Sequence, residues 1–218
     1  MLVSELAERA DVPLATVKYY LREGLLPTGE NTGPRRAEYD ESHVRRLRVL
    51  RMLREVGEVP VTSLRQIVEA LDDASLPVHD AMAVIADVIS SGPEPGHQDA
   101  ASLQIVDDLF AALGWDGIRP ESVDRLRLAG LVSMLNGPGP LGASPEVLRY
   151  YAAVADDLAK TEISMVDHSV DRSTLLEDMV TGSVVYGQVF ELLRQLGHEH
   201  HHQRATQRAA RAAAEAHA

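Results

Sequence analysis

The chain has 218 residues, no cysteine and a formal net charge of −12. Such a length allows a small domain plus a medium one, and the lack of thiols excludes disulfides, thiolate zinc sites, iron–sulfur clusters and cysteine nucleophiles. The charge is split: residues 1–70 carry eleven Lys/Arg against eleven Asp/Glu, whereas residues 71–218 carry ten against twenty-two, so the acidity of the whole says nothing about a local face of the first third.

Helical patterns run along the chain. "SELAERA" opens with Ser4 as a candidate N-cap and puts Leu6 and Ala10 on one face. "LATVKYYLRE" forms the next helix, stopped by Gly24 and Pro27. Residues 27–37, rich in Gly, Pro, Asn and Thr, read as a loop or short hairpin. "DESHVRRLRVLRMLREVG" is a helix capped by Asp40 or Ser42, with Val44, Leu47, Leu50 and Leu53 at three-to-four spacing and Gly57 at its end. A fourth helix, capped by Thr62 or Ser63, buries Leu64, Ile67, Val68 and Leu71, and a short apolar one runs from Leu76 to Ile89.

Residues 91–99, "SGPEPGHQD", form the clearest linker. Four further helical patterns follow. The first buries Leu103, Val106, Phe110 and Leu113, the second Val123, Leu126, Leu131 and Leu135. After the break "GPGPLGASP", the third starts at Ser144–Pro145 and places Val147, Tyr151, Val154 and Leu158 in a stripe. The fourth opens with a capping box, Thr174 to Glu177. The His- and Ala-rich tail, residues 198–218, has helix-favouring composition but no apolar stripe.

The first two helices, joined by a short turn at Asp11–Pro13, make a helix-turn-helix unit. In the second, Val17, Leu21 and Gly24 share one face with Tyr20 beside them, while Ala15, Lys18, Tyr19 and Arg22 share the opposite face. A small residue, two cations and a phenol suit entry into a major groove. Arg35 and Arg36, in the Gly/Pro-rich turn just beyond, suit a wing that holds the phosphate backbone.

Residues 1–70 resemble the N-terminal domain of the MerR family of bacterial transcriptional regulators. The match is carried by "SELAERADV", "TVKYYLREGLLP", Tyr39 followed by Asp40, and "VRRLRVLRMLREVGEVPVTSLRQIV". Within it Thr16, Val17, Lys18, Tyr19, Tyr20, Gly24, Leu25, Leu26 and Pro27 match the family motif or replace its residues conservatively. Leu21 stands where an acid is usual, Pro13 where Ser or Thr is usual, and the turn reads "GPRRAEY". The resemblance implies a winged helix-turn-helix dimer on a near-palindromic promoter, whose overlong spacer it distorts for RNA polymerase. The segment at 76–89 is too short for the family's long coiled coil, so the helices after residue 99 are expected to share the dimer contact or hold a small-molecule effector.

The expectation is a mainly all-α protein: a winged helix-turn-helix domain with a small β-wing over 1–73, a short helix and linker over 74–98, a helical effector and dimerisation domain over 99–197, and a tail over 198–218. Its DNA-binding residues are expected to be Ala15, Thr16, Lys18, Tyr19, Tyr20, Arg22, Arg35, Arg36, Tyr39 and Arg45. Arg45 and Arg46 suit a phosphate face, while Arg48, Arg51 and Arg54 suit a solvated face paired with Glu41 and Glu55. The competing reading is a helical protein- or ligand-binding module without specific DNA recognition.

No catalytic residue, cofactor or metal is expected. His198 and His202 are four apart but have no partner cluster. Asp107–Asp108 and Asp156–Asp157 read as solvated faces. Trp115, Tyr150, Tyr151 and Tyr186 suit a core or a pocket between helices. No apolar run approaches the roughly 18 residues that span a bilayer, and "MLVSELAERADVP" lacks the pattern of a secretion signal, so a cytoplasmic location is expected, with no membrane contact.

Overall fold

A computed structural model describes residues 1–33, 36–91, 98–136 and 145–216, with the side chains of 31–33, 36, 136 and 209–216 left aside. The linker at 92–97, the break at 137–144 with Ser144, and Arg35 lie outside the described residues. Within them the chain forms nine helices and one hairpin. In order these are α1 (Val3–Ala10), α2 (Leu14–Arg22), β1 (Glu30–Gly33), β2 (Arg36–Glu38), α3 (Glu41–Glu55), α4 (Val61–Asp72), α5 (Val78–Ile89), α6 (Ala100–Leu113), α7 (Val123–Asn136), α8 (Pro145–Ser164) and α9 (Arg172–Ala216). The strands are antiparallel, pairing Glu30 with Glu38 and Asn31 with Ala37, with an irregularity before Gly33 meets Arg36.

Helix starts are set by different residues from those expected. Leu2 is the N-cap of α1, and the Glu5 carboxylate accepts its N–H at 2.7 Å, which puts Ser4 inside the helix. Proline precedes α2, α4 and α5 (Pro13, Pro60, Pro77) with φ between −54° and −58° and no side-chain cap. Its ring fixes φ and launches the helix without a capping hydroxyl, so Thr62 and Ser63 fall inside α4. Asp40 does cap α3: its carboxylate accepts the Ser42 N–H at 2.9 Å and the Ser42 hydroxyl at 2.5 Å. The Ser42 hydroxyl, then His43, stabilise the anion and hold this carboxyl well below the usual range.

The main core is built by the first five helices and closed by the last. Leu6, Val17, Leu25, Leu26, Leu47, Leu50, Leu53, Leu64, Ile67, Leu71 and Ile85 are at most 2% exposed, and Leu176, Val180 and Val184 of α9 join the same cluster. A Cβ on Gly57, in the α3–α4 turn, would come within 3.3 Å of Val184 Cγ1 and 3.0 Å of the Leu53 carbonyl oxygen. Glycine is what lets α9 lie this close. Packing therefore does not follow the division at residue 99: residues 172–184 complete the N-terminal core, and α9 runs unbroken through the tail to Ala216.

A smaller core, Val106, Ala129 and Val132, ties α6 to α7, with Leu103, Phe110, Leu128 and Leu148 around it. Two apolar stripes are covered only in part. Leu131 is 57% exposed, and Val147, Tyr151 and Val154 of α8 are all on the surface. Small residues, Ala129 and Ala152, make the close contacts instead, because they let helix backbones approach. The α6–α8 unit is anchored to α5 through Asp87, which accepts from Arg119 Nη2 at 2.6 Å and from the Val123 N–H at 3.1 Å.

Candidate nucleic-acid interface

Helix α2 is held from below and bare above. Asp11 ends α1 in the left-handed region (φ 54°), where a short polar side chain is tolerated, and Pro13 starts α2 three residues after α1 ends. Val17 and Tyr20, 0% and 5% exposed, enter the core. Gly24, at φ 71°, turns the chain so that the Leu25 and Leu26 N–H groups donate to the Tyr20 carbonyl. Both leucines then bury beneath the helix. Its rotation is thereby fixed by four apolar side chains.

The opposite face carries Ala15, Lys18 and Arg22 in solvent, with Thr16 and Tyr19 partly exposed. The Arg22 guanidinium lies over the Tyr19 ring, 5.2 Å from its centroid, which stiffens both side chains. Arg22 Nε also donates to Glu23 at 3.3 Å, and Glu23 lies 3.7 Å from Arg65 of α4. Lys18 forms no ion pair among the described residues.

Two of the expected DNA contacts are corrected by burial. Tyr20 packs inside, and burial pushes its phenol above the usual value. Tyr39 is also buried. Its carbonyl accepts from the Met1 ammonium at 2.7 Å, its N–H donates to the Met1 carbonyl, and its ring meets His43 edge-on at 5.1 Å. Both tyrosines support the surface from beneath, because a ring that fills the core cannot also reach a groove. Arg36 lies on β2, with its side chain outside the described residues along with the whole of Arg35.

Helix α3 divides its arginines. Arg45 is exposed, with Nε 3.8 Å from Glu177 Oε2. Arg46, expected on a phosphate face, is 5% exposed. Its Nε donates to Glu177 at 2.8 Å and its Nη2 to Asp72 at 2.7 Å, which joins α3, α4 and α9 in one ion cluster. Burial alone would lower the Arg46 pKa, but its bonds and charge attraction to Asp72 and Glu177 outweigh that and hold it above its ordinary value. Arg51 bridges to Glu55 at 3.1 Å as expected and also to Asp11 at 2.6 Å. Glu41 pairs with Arg9 of α1, not with its own helix.

Glu177 is the residue that the sequence misassigned. Asp171 caps α9, accepting the Thr174 N–H at 3.1 Å and its hydroxyl at 2.7 Å, so Thr174 and Glu177 form no capping box. One trace of the true arrangement exists in the sequence: Arg46, Val49, Leu50 and Leu53 are spaced as one buried stripe, with a charge in an apolar position.

A second feature lies between α6, α7, α8 and α9. An apolar cleft of about 400 Å³ is lined by Leu109, Phe110, Trp115, Leu128, Tyr151, Leu158 and Phe190. Trp115 Nε1 donates to Asp156 at 2.9 Å, and Asp156 also accepts from Lys160 at 2.6 Å. Asp107 is held by Arg125 at 2.8 and 2.7 Å. These acids are therefore structural partners and not plain solvated faces. Tyr150 and Tyr186 are surface residues, 69% and 53% exposed. No cluster of three or more His, Asp or Glu able to hold a metal occurs among the described residues, and no helix among them is long and apolar enough to cross a membrane.

Residues 1–71 match the family model described as MerR HTH family regulatory protein. Among solved structures, the chain is similar to the crystal structure of the "putative transcriptional regulator SCO5550" from Streptomyces coelicolor A3(2). The two share 28% identity, the match covers 94% of this chain and 97% of that one, and the TM-score is 0.68. No curated protein matched the chain.

Proposed function

From a chain whose residues 1–71 are a domain of the MerR helix-turn-helix regulatory family, we propose a transcriptional regulator that reads a near-palindromic promoter as a dimer, together with RNA polymerase. The observation that carries this reading is the α2 face. Ala15, Lys18, Tyr19 and Arg22 stand outward on a helix whose rotation is locked by Val17, Tyr20, Leu25 and Leu26. Its N-terminal half offers a small residue for close approach, and its cations suit base edges and phosphates. The β1–β2 hairpin serves as the wing, with Arg35 and Arg36 on the phosphate backbone. Arg45 adds a backbone contact from the start of α3.

The test is a titration of the full chain against duplex from its own upstream region and against random duplex at equal salt. Preference for one promoter fragment by about 10³-fold or more is expected. Equal binding to all fragments would favour the competing module without specific recognition.

The α6–α9 cleft suits an apolar small-molecule effector, since its walls are aromatic and aliphatic. Trp115 is the chain's single tryptophan, so its fluorescence reports this site alone. A saturable change in emission with one member of a panel of apolar compounds is the expected result. A flat signal across the panel leaves the cleft without an effector role.

A further inference from the structure

We infer that the exposed stripe of α9 between Tyr186 and Leu196 is the seam on which a second copy of this chain docks. The inference rests on the dimeric reading above and assigns its interface to the last helix instead of the helix that follows α4.

Helix α9 has 45 residues, a length of about 65 Å at 1.5 Å per residue. It is held by the rest of the chain over its first turns and again at Phe190. Leu176, Val180 and Val184 face the main core, with Glu177 bonded to Arg46. At 3.6 residues per turn, Tyr186, Val189, Leu193 and Leu196 fall on the other side of the helix from those anchors. They repeat at three-four-three spacing, the pattern of a helix–helix seam, and are 53%, 44%, 62% and 60% exposed. Leu192 widens the stripe, at 57%. Phe190 turns toward α8 and the cleft it lines with Tyr151.

Three considerations point to a second copy as the occupant. The first is area. These five side chains present on the order of 500 Å² of apolar surface, so a symmetric pair would cover ~1,000 Å², the size at which an interface becomes specific. An apolar patch of that size is often a functional surface.

The second is charge. Residues 71–218 net to −12, yet Gly182–Gly197 carry only Glu191 and Arg194, which bridge each other at 2.7 Å. Two strongly acidic copies can approach along this stretch, where neither presents net charge. The third is helix stability: a long helix that leaves its domain gains most of its stability from packing an apolar face, and on this one only the Tyr186 end of that face meets the chain, beside Met82, Ile163 and Met165.

The test uses the full chain and its lack of cysteine. Leu193→Cys gives a single thiol on the seam, and Gly187→Cys, where an added side chain meets open space, one on the side facing away. Under mild oxidation the first is expected to form a covalent dimer and the second to stay monomeric. In solution the unmodified chain is expected at twice its chain mass by light scattering, and Leu193→Glu with Leu196→Glu at one chain mass with unchanged helix content.

A unmodified chain of single mass, a double variant that stays dimeric, or equal cross-linking at both positions overturns the seam. DNA binding separates the two readings. A monomeric double variant that keeps random-duplex affinity but loses promoter preference supports both. A monomeric variant that keeps promoter preference leaves the seam intact and overturns the dimeric mode of recognition.

Discussion

Glu177→Ala is expected to cost about 3–5 kcal/mol of stability, the usual effect of removing one partner from a buried ion pair. The arithmetic is set by burial. Arg46 and Glu177 side chains are 6% and 5% exposed, whereas Asp72, the other partner of Arg46, is 48% exposed. With the carboxylate gone, a buried guanidinium keeps only one half-solvated partner. Glu177→Gln should cost less, since the amide oxygen can still accept from Arg46 Nε. The double variant Arg46→Met with Glu177→Leu should recover much of the loss, because apolar groups of similar volume need no desolvation. Urea denaturation of the three variants checks this, and equal midpoints for wild type and Glu177→Ala would show that the cluster contributes nothing.

Lys18→Ala with Tyr19→Ala is expected to abolish promoter preference while leaving the fold unchanged. Lys18 is exposed, so its replacement should change stability by no more than about 0.5 kcal/mol, while Tyr19 is partly buried against the edge of the core and its truncation costs more without unfolding the domain. A base-reading contact is worth ~1–3 kcal/mol, so each substitution should weaken specific binding roughly 5- to 150-fold. Arg35→Ala with Arg36→Ala should act differently: binding to all sequences weakens, and the salt slope falls by about one per lost phosphate contact. Titrations of promoter and random duplex at several salt concentrations distinguish the two patterns. A Tyr19→Ala variant with full promoter preference would mean that α2 presents another face to DNA.

The helix-turn-helix was legible in the sequence because its determinants are local. The spacing of Val17 to Leu21 and the stop at Gly24–Pro27 fix α2 within a dozen residues. The division of the chain was not legible, for the converse reason. Glu177 lies 131 residues from Arg46, and a short-range reading found it a nearer partner in Thr174. Tyr20 and Tyr39 are expected among the DNA contacts although the spacing of α2 already sets Tyr20 beside its apolar face, and a tyrosine ring fills a core as readily as it meets a ligand. The spacing of the α8 stripe leaves its burial open because exposed and buried apolar faces have the same periodicity. Only the neighbouring helices reveal which one is covered.

The contribution of α9 to the N-terminal core has a consequence for how the protein is made. Leu6 through Leu71 leave the ribosome early, yet the groups that seal their core, Leu176, Val180, Val184 and the Glu177 carboxylate, come last. At roughly 5–20 residues per second, the interval between Arg46 and Glu177 is on the order of ten seconds. During that time the nascent head has an open apolar groove and an Arg46 whose remaining partner is Asp72. It should therefore engage DNA only after synthesis is nearly complete, and truncation before residue 172 should yield a head prone to aggregation.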